Sequence, residues 1–208
     1  VSINVHEAFS LDSFQDRLLF WDDFEGDQIK DEWDITLIAG GTAAIIDAQA
    51  GGVMRWATPA AADRIIMDWD DIRSLLVSRK VTIEVRAIID VNNTDRYVEF
   101  GLTGAGGYIL MRMSGVGNIL IRTNDGVSTT GNSDQAVDTN YHIFRIECHT
   151  HGGNHVHFYF DGSELNVSPL STNVPAGHLQ PRFDSLNLGG VGGAVNVDVD
   201  YVYVRQER

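Results

Sequence analysis

From about residue 20 onward, apolar and polar side chains alternate in short runs separated by Gly-, Asn- and Asp-rich turns. "VTIEVRAIID" (81–90) shows the pattern most clearly. Val81, Ile83, Val85, Ala87 and Ile89 face one way; Thr82, Glu84, Arg86 and Asp90 face the other, with Ile88 as the exception. The same reading predicts strands in "YVEFGL" (97–102), in "YILMRM" (108–113) and "NILIRT" (118–123) around a "SGVG" hairpin turn, and in "NYHIFRIECHT" (140–150) and "HVHFYFDG" (155–162). "FDSLNLGG" (183–190) and "VNVDVDYVYVR" (195–205) close the series. Two stretches depart from it. "SLDSFQDRLLFW" (10–21) spaces Leu11, Phe14, Leu18 and Leu19 as a helix does, with Ser10 or Asp12 as N-cap. It predicts a short helix or extended arm over residues 1–20, ahead of a main domain at 21–208. The arm's apolar face needs cover, from the domain itself or from a neighbouring subunit. "WDDIRSLLV" (69–77) reads as a brief helix capped by Asp70 or Asp71, with Ile72, Leu75 and Leu76 packing down. Many short alternating strands with regular turns predict an all-β antiparallel sandwich or barrel.

Composition narrows the class. A chain of 208 residues, 43% hydrophobic and 21% charged, is enough for one domain with a substantial core. Twenty-one glycines against four prolines suit a protein of many turns. The net charge of -14 argues against nucleic acid and anionic membranes, which both require a basic face. No apolar run is long enough to span a bilayer. The first residues lack the basic start and apolar centre of a secretory signal. The single cysteine, Cys148, excludes an intrachain disulfide and reads as a small buried apolar residue.

Three segments, in order, resemble the concanavalin A-like (laminin-G-like) jelly rolls. "LLFWDDFEGDQIKDEW" resembles that family's opening D-x-F-x-G followed by a Trp, here Asp22, Phe24, Gly26 and Trp33. "YHIFRIECHTHGGNHVHFYFDGSEL" resembles its central hairpin, with an aromatic strand ending in Asp161-Gly162, and "VDVDYVYVR" resembles its last strand. The resemblance covers residues 20 to 206 and implies two stacked antiparallel sheets. It implies no activity, because the fold hosts lectins, glycanases, lyases and adhesion modules. The opening "RLLFWDDFEG" is also similar to structural or decoration proteins of tailed phages.

The residues offer several chemistries, each beside a plainer reading. Glycosidases of this fold are expected to carry E-x-D-x-E on a strand, and that motif is absent. Near Glu84 the partner positions hold Arg86 and Ile88, Glu147 has no carboxylate neighbour on its face, and Asp198 and Asp200 alternate in the terminal strand. Cross-strand Glu–Arg pairing explains these residues equally. A lyase set is available in Arg86, Arg145, His149, His157 and Tyr159. Asp90, Asn92, Asn93 and Asp95 supply oxygen ligands for Ca2+, and are also ordinary turn residues. "RTNDGVSTTGNSDQAVD" (122–138) reads as a polar surface connection able to take an ion or a sugar, with "NDG" as a turn. Trp56, Trp69, Tyr97 and Tyr108 are sugar-stacking candidates that core packing would also explain.

The densest cluster is "HTHGGNHVH" (149–157). A three-residue loop at Gly152-Gly153-Asn154 pairs His151 with His155, His149 with His157, Glu147 with Tyr159 and Arg145 with Asp161. It sets Cys148 against Phe158 and Ile146 against Phe160 on the other face. The polar face then carries Arg145, His149, His151, His155, His157 and Tyr159. Such a patch suits a transition metal, a polar or glycan-facing surface, or a subunit contact, although the hairpin places no carboxylate to orient the rings. Four imidazoles gain charge between about pH 8 and 5.

With no catalytic motif and an apolar arm, the sequence predicts a non-catalytic structural or adhesion module. The expected setting is a phage-type virion surface or the extracellular space. There it would decorate a capsid through its arm, as a homo-oligomer or on particle subunits, with no required cofactor. A carbohydrate-binding, lectin-like domain is the alternative, and a polysaccharide-active hydrolase or lyase the third reading.

Overall fold

In the computed structural model the alternating runs pair into two antiparallel sheets, with no helix among the described residues. The structure describes residues 17–26, 29–46, 52–69, 74–90, 96–114, 117–149, 154–189 and 195–207. Strands are numbered in chain order. The first sheet runs β14 (Ser163–Glu164), β13 (His155–Phe160), β12 (His142–His149), β7 (Val81–Asp90), β16 (Val195–Glu207), β4 (Val53–Thr58) and β3 (Thr42–Ile46). β1 (Arg17–Asp22) also lies on β16. The second sheet runs β11 (Ser128–Ala136), β10 (Asn118–Asn124), β9 (Gly107–Ser114), β8 (Arg96–Gly104), β15 (His178–Asn187), β5 (Arg64–Asp68) and β2 (Asp34–Ile38), with β6 (Leu75–Leu76) also on β15.

β16 is long enough to serve two partners along one edge. Val195–Val199 pairs with β4, and the stretch from Val202 pairs with β1. On its other side the register to β7 shifts between Val199 and Tyr201, a bulge that re-aims Asp200.

Alternation decides what lies between the sheets. The five apolar residues predicted for one face of β7 are all buried, while Ile88 joins the half-buried outer positions. The aromatic centre is built edge-to-face from Phe20, Trp33, Trp69, Trp56 and Phe183, with Phe100 and Phe144 continuing it. Trp56 and Trp69 are core residues at 1% exposure, which removes both as sugar platforms.

The Asp-x-Phe-x-Gly…Trp pattern has a physical basis. Buried Asp22 accepts the backbone N–H of Phe24 at 3.1 Å through Oδ1, and the indole N–H of Trp33 at 2.8 Å through Oδ2. Phe24 is thereby held at φ +53° with its ring in the core. The carboxylate thus turns the chain and docks two aromatic rings at once.

Three segmental expectations change. Leu18 and Leu19 stand in strand β1 and not in a helix, because the six-residue pairing with β16 overrides local helical spacing. Leu11 and Phe14 lie outside the described residues. Leu75 and Leu76 form a short strand on β15 where a helix was expected, with Leu75 fully buried. Residues 128–136, read as a surface connection, are the edge strand β11. Its polar residues suit an edge whose outer rim is solvated. "NDG" is a turn as predicted: Asn124 Oδ1 accepts the N–H of Gly126, which sits at φ +119°. No helix among the described residues is long and apolar enough to cross a membrane.

Candidate functional site: a groove on the second sheet

The outer face of the first sheet carries the histidine hairpin. Its strands pair Cys148 with Val156, Ile146 with Phe158, Glu147 with His157, Arg145 with Tyr159 and His149 with His155. The predicted register is therefore off by two residues, and the connection is five residues long (150–154) instead of three. A slip of two preserves which face each side chain takes, so the segregation holds: Cys148 and Phe158 are buried, and the histidines lie on the outer face. His149 and His157 are diagonal neighbours with ring centroids 5.0 Å apart. His151 lies outside the described residues, as do Asn92, Asn93 and Asp95. Asp90 ends β7.

Carboxylates do orient these rings, contrary to the sequence reading. Glu164 Oε1 lies 2.7 Å from His157 Nδ1, and Glu147 Oε2 lies 3.2 Å from His149 Nε2. Glu164 arrives on β14, beyond the hairpin, and Glu147 reaches along its own strand to the next outward position. Arg145 lies 4.3 Å over the ring of Tyr159 and pairs with Glu147 and Glu84. Arg86 binds Asp200 and lies 4.3 Å over Tyr141, while Arg55 grips Asp198 with bonds of 2.7 and 2.6 Å. The lyase set and the paired aspartates are thus tied into a lattice of neutralising pairs. Among the described residues, no group of three or more His, Cys, Asp or Glu is arranged to hold a metal ion. Cys148 sits beneath this face, 2% exposed; burial, with the charge on Glu147, pushes its thiol up to about 12.

The outer face of the second sheet is built differently. A groove of about 310 Å³ opens over β5, β15, β8, β9 and β10, lined in part by Arg64, Glu99, Tyr108, Arg112, Arg122 and Asp184. Alternation on five neighbouring strands puts these residues on one face. Glu99 and Asp184 are direct register partners on β8 and β15, and Arg112 is opposite Glu99 on β9. Direct partners have Cβ atoms about 4.5–5.5 Å apart. Both carboxylates are buried, at 8% and 4% exposure, so each requires a countercharge.

Arginines supply it. Arg64 grips Asp184 with both a 2.8 Å bond from Nε and a second from Nη2. Glu99 Oε1 takes Arg112 Nε and, at 3.3 Å, Arg122 Nη1. Arg122 Nη2 also donates to the Tyr108 hydroxyl at 2.9 Å, and that oxygen is 2.9 Å from Ser128 Oγ. Tyr97 packs under Arg112 at 4.2 Å. Burial first, then the charges on Asp184 and Glu99, raise the Tyr97 hydroxyl above its ordinary value and keep it protonated.

Of the groove residues, sequence reasoning raised Tyr108, as a sugar-stacking candidate alongside Tyr97, and reached Arg122 only as the first residue of the polar segment 122–138. Glu99, Asp184, Arg64, Arg112, Arg122 and Arg182 come from five strands scattered over more than a hundred residues. Each looks like an ordinary outward position on its own strand. The one available signal was a tyrosine and a charged residue on the same alternation of each strand, Tyr97 with Glu99 in "YVEFGL" and Tyr108 with Arg112 in "YILMRM".

No protein-family model and no curated protein matches the chain, whereas many solved structures match its fold. The laminarinase catalytic domain of Thermotoga maritima MSB8 is similar over 93% of this chain and 99% of its own, at 13% identity and a TM-score of 0.68. The endo-β-1,4-glucuronan lyase of the fungus Trichoderma reesei covers 89% of this chain and 94% of its own, at 14% identity and 0.63. A carbohydrate esterase from the Shiga toxin-encoding bacteriophage phi24B covers 85% and 90%, at 14% identity and 0.58. The fold is a concanavalin A-like jelly-roll sandwich, as the three sequence segments implied. The expectation of a non-catalytic capsid-decoration module is corrected: the similar structures are mostly glycoside hydrolases together with a lyase, and the phage protein is itself a carbohydrate esterase.

Proposed function

We propose that this chain is a polysaccharide-active protein that lays a glycan across the groove of the second sheet and works on it through Tyr108. The observation that carries this reading is the hydroxyl of Tyr108, which lines the groove and is held between Arg122 and Ser128. A phenol fixed by a guanidinium donor is suited to giving and taking a proton at a sugar oxygen or carbon. Arginines around it stabilise negative charge as it develops. The glycan-directed proteins that share the fold support the substrate class.

Glu99 and Asp184, as direct cross-strand partners, invite comparison with a retaining glycosidase pair, whose carboxyls stand about 5–5.5 Å apart. That mechanism, however, needs one carboxyl free to donate a proton. Both accept from guanidiniums here, so they act as anchors that set the arginines and, through Arg122, set Tyr108.

The test is turnover on a panel of neutral and acidic polysaccharides, read as new reducing ends and as ultraviolet-absorbing unsaturated ends. Tyr108→Phe keeps the ring and removes the proton. It should lower turnover by about 10²–10⁴-fold while polysaccharide binding persists. Equal turnover by Tyr108→Phe and the parent refutes the role of Tyr108. Binding without any turnover would leave a lectin, and neither binding nor turnover ends the glycan reading.

A further inference from the structure

We infer that the groove selects an anionic polysaccharide, one carrying a carboxylate or sulfate on its sugars, and that Arg182 is its anion grip. The inference deepens the glycan reading above and rests on it. Four guanidiniums, those of Arg64, Arg112, Arg122 and Arg182, converge on a groove whose lining contains two carboxylates. The chain as a whole has 15 basic residues against 29 acidic ones, so this concentration of positive charge runs against the composition.

The four arginines are not equivalent. Arg64 is committed to Asp184 in a two-bonded pair, and Arg112 to Glu99. Arg122 reaches the oxygen that Arg112 already occupies, at 3.3 Å, and spends its other nitrogen on Tyr108. Arg182 has a long 3.6 Å contact to Asp184 Oδ2, the oxygen Arg64 already holds. Its side chain is 29% exposed. Within the groove lining Arg64 and Arg112 are therefore matched by Asp184 and Glu99, while Arg122 and Arg182 share oxygens already held, with Asp68 opposite Arg182 on the flanking strand β5.

The sheet register places these two shared arginines. Arg182, Gly101, Leu110 and Arg122 are successive partners across β15, β8, β9 and β10. Three strand spacings of about 4.8 Å separate the two arginine backbones by about 14 Å. Between them the row holds glycine and leucine, with no charge. At Gly101, φ is +153°, and a Cβ would come within 2.1 Å of the Ile109 carbonyl oxygen, so the position stays without a side chain. The result is a trough with a cation on each bank and an uncharged floor. A guanidinium offers paired N–H donors to a carboxylate or sulfate, and neutral hydroxyls give it no charge to match. Tyr108, directly below this row on β9, would face the bound sugar.

The experiment uses the whole chain and measures binding to polyglucuronate, to dextran sulfate and to a neutral β-glucan at low and moderate salt. The anionic polymers should bind at least tenfold more tightly than the glucan, and salt should weaken them selectively. The protein's own net charge of -14 opposes nonspecific binding of polyanions, which keeps the background low. Arg182→Ala should lower anionic binding at least tenfold with unchanged near-ultraviolet circular dichroism, and Arg182→Lys should restore part of it. Arg145→Ala, on the opposite face, should change nothing. Preference for polyglucuronate over dextran sulfate assigns a carboxylate, and the reverse a sulfate. Equal binding of neutral and anionic chains, with turnover lost in Tyr108→Phe, overturns the anionic inference and leaves the glycan reading intact. Anionic binding lost in Arg145→Ala but kept in Arg182→Ala also overturns it. Failure to bind any polysaccharide removes the glycan reading itself.

Discussion

Replacing Asp22 tests whether the Asp-x-Phe-x-Gly…Trp segment is held by one carboxylate. Asp22 is 1% exposed and accepts two buried donors, the Phe24 N–H and the Trp33 indole N–H, at 3.1 and 2.8 Å. A hydrogen bond to a charged acceptor is worth about 1.5–3 kcal/mol, and a buried donor left without a partner costs a similar amount. The contact with Lys30, 3.3 Å away on a side chain 42% exposed, adds little. Asp22→Ala should therefore lower stability by about 3–5 kcal/mol, a large fraction of the roughly 5–15 kcal/mol typical of a domain. Asp22→Asn retains one acceptor and turns an amide N–H2 towards the other donor, so it should lose about 1–3 kcal/mol. Urea unfolding followed by tryptophan fluorescence measures both. The Trp33→Phe substitution completes a double-mutant cycle, in which the indole bond should appear as a coupling of about 1.5–3 kcal/mol. A loss below about 1 kcal/mol for Asp22→Ala, at unchanged denaturant slope, would show that the two aromatic rings dock without the carboxylate.

Two further outcomes follow from strand β12 of the first sheet. His142 is held on both ring nitrogens, by Asp161 at 2.7 Å and Asp138 at 2.8 Å, and packs on Phe160 and Phe144. Burial pulls its pKa down, but the bonds to Asp161 and Asp138 together outweigh that and leave it raised above 6.5. A raised imidazolium stabilises the fold fully below its unfolded value and loses that contribution as pH rises through the folded one. The stability gap between the parent and His142→Ala should be wider near about pH 6 than near about pH 9, and a gap independent of pH contradicts the doubly held imidazolium. Cys148, buried and pushed up to about 12, should resist a thiol reagent at about pH 8 in the folded protein and react promptly in denaturant. Rapid native labelling would show that the hairpin opens.

What could be read from the chain, and what could not, divides along the range of the interaction that decides it. Which way Val81 or Cys148 points depends on whether its position in a strand is odd or even, and alternation carries that information locally. The register of β12 on β13 escaped because sliding by two residues preserves the alternation, so the apolar pattern fits equally well with a three-residue or a five-residue loop. β11 escaped because its pairing energy comes from β10 and not from its own polar side chains. Leu18 and Leu19 took the strand offered by β16, a partner near the opposite end of the chain.

The groove lies furthest from sequence reasoning for the same physical reason. Glu99 and Asp184 meet because β8 and β15 are neighbours at one register, 85 residues apart along the chain. Neither residue belongs to a motif, and the carboxylate pair expected of a glycosidase was sought along one strand, where alternation gives i, i+2 neighbours. Here the pair forms across two strands, and that changes its chemistry. Along one strand, successive outward positions share flanking neighbours, whereas across strands each carboxylate meets the outward residues of its own far-side partner. For Glu99 those are Arg112 and, one strand beyond, Arg122; for Asp184 it is Arg64 on β5. Charge pairing therefore turns two carboxylates into supports for a row of guanidiniums. In the function we propose, the acid–base role passes to Tyr108 and the recognition role to Arg122 and Arg182, which share carboxylate oxygens already held.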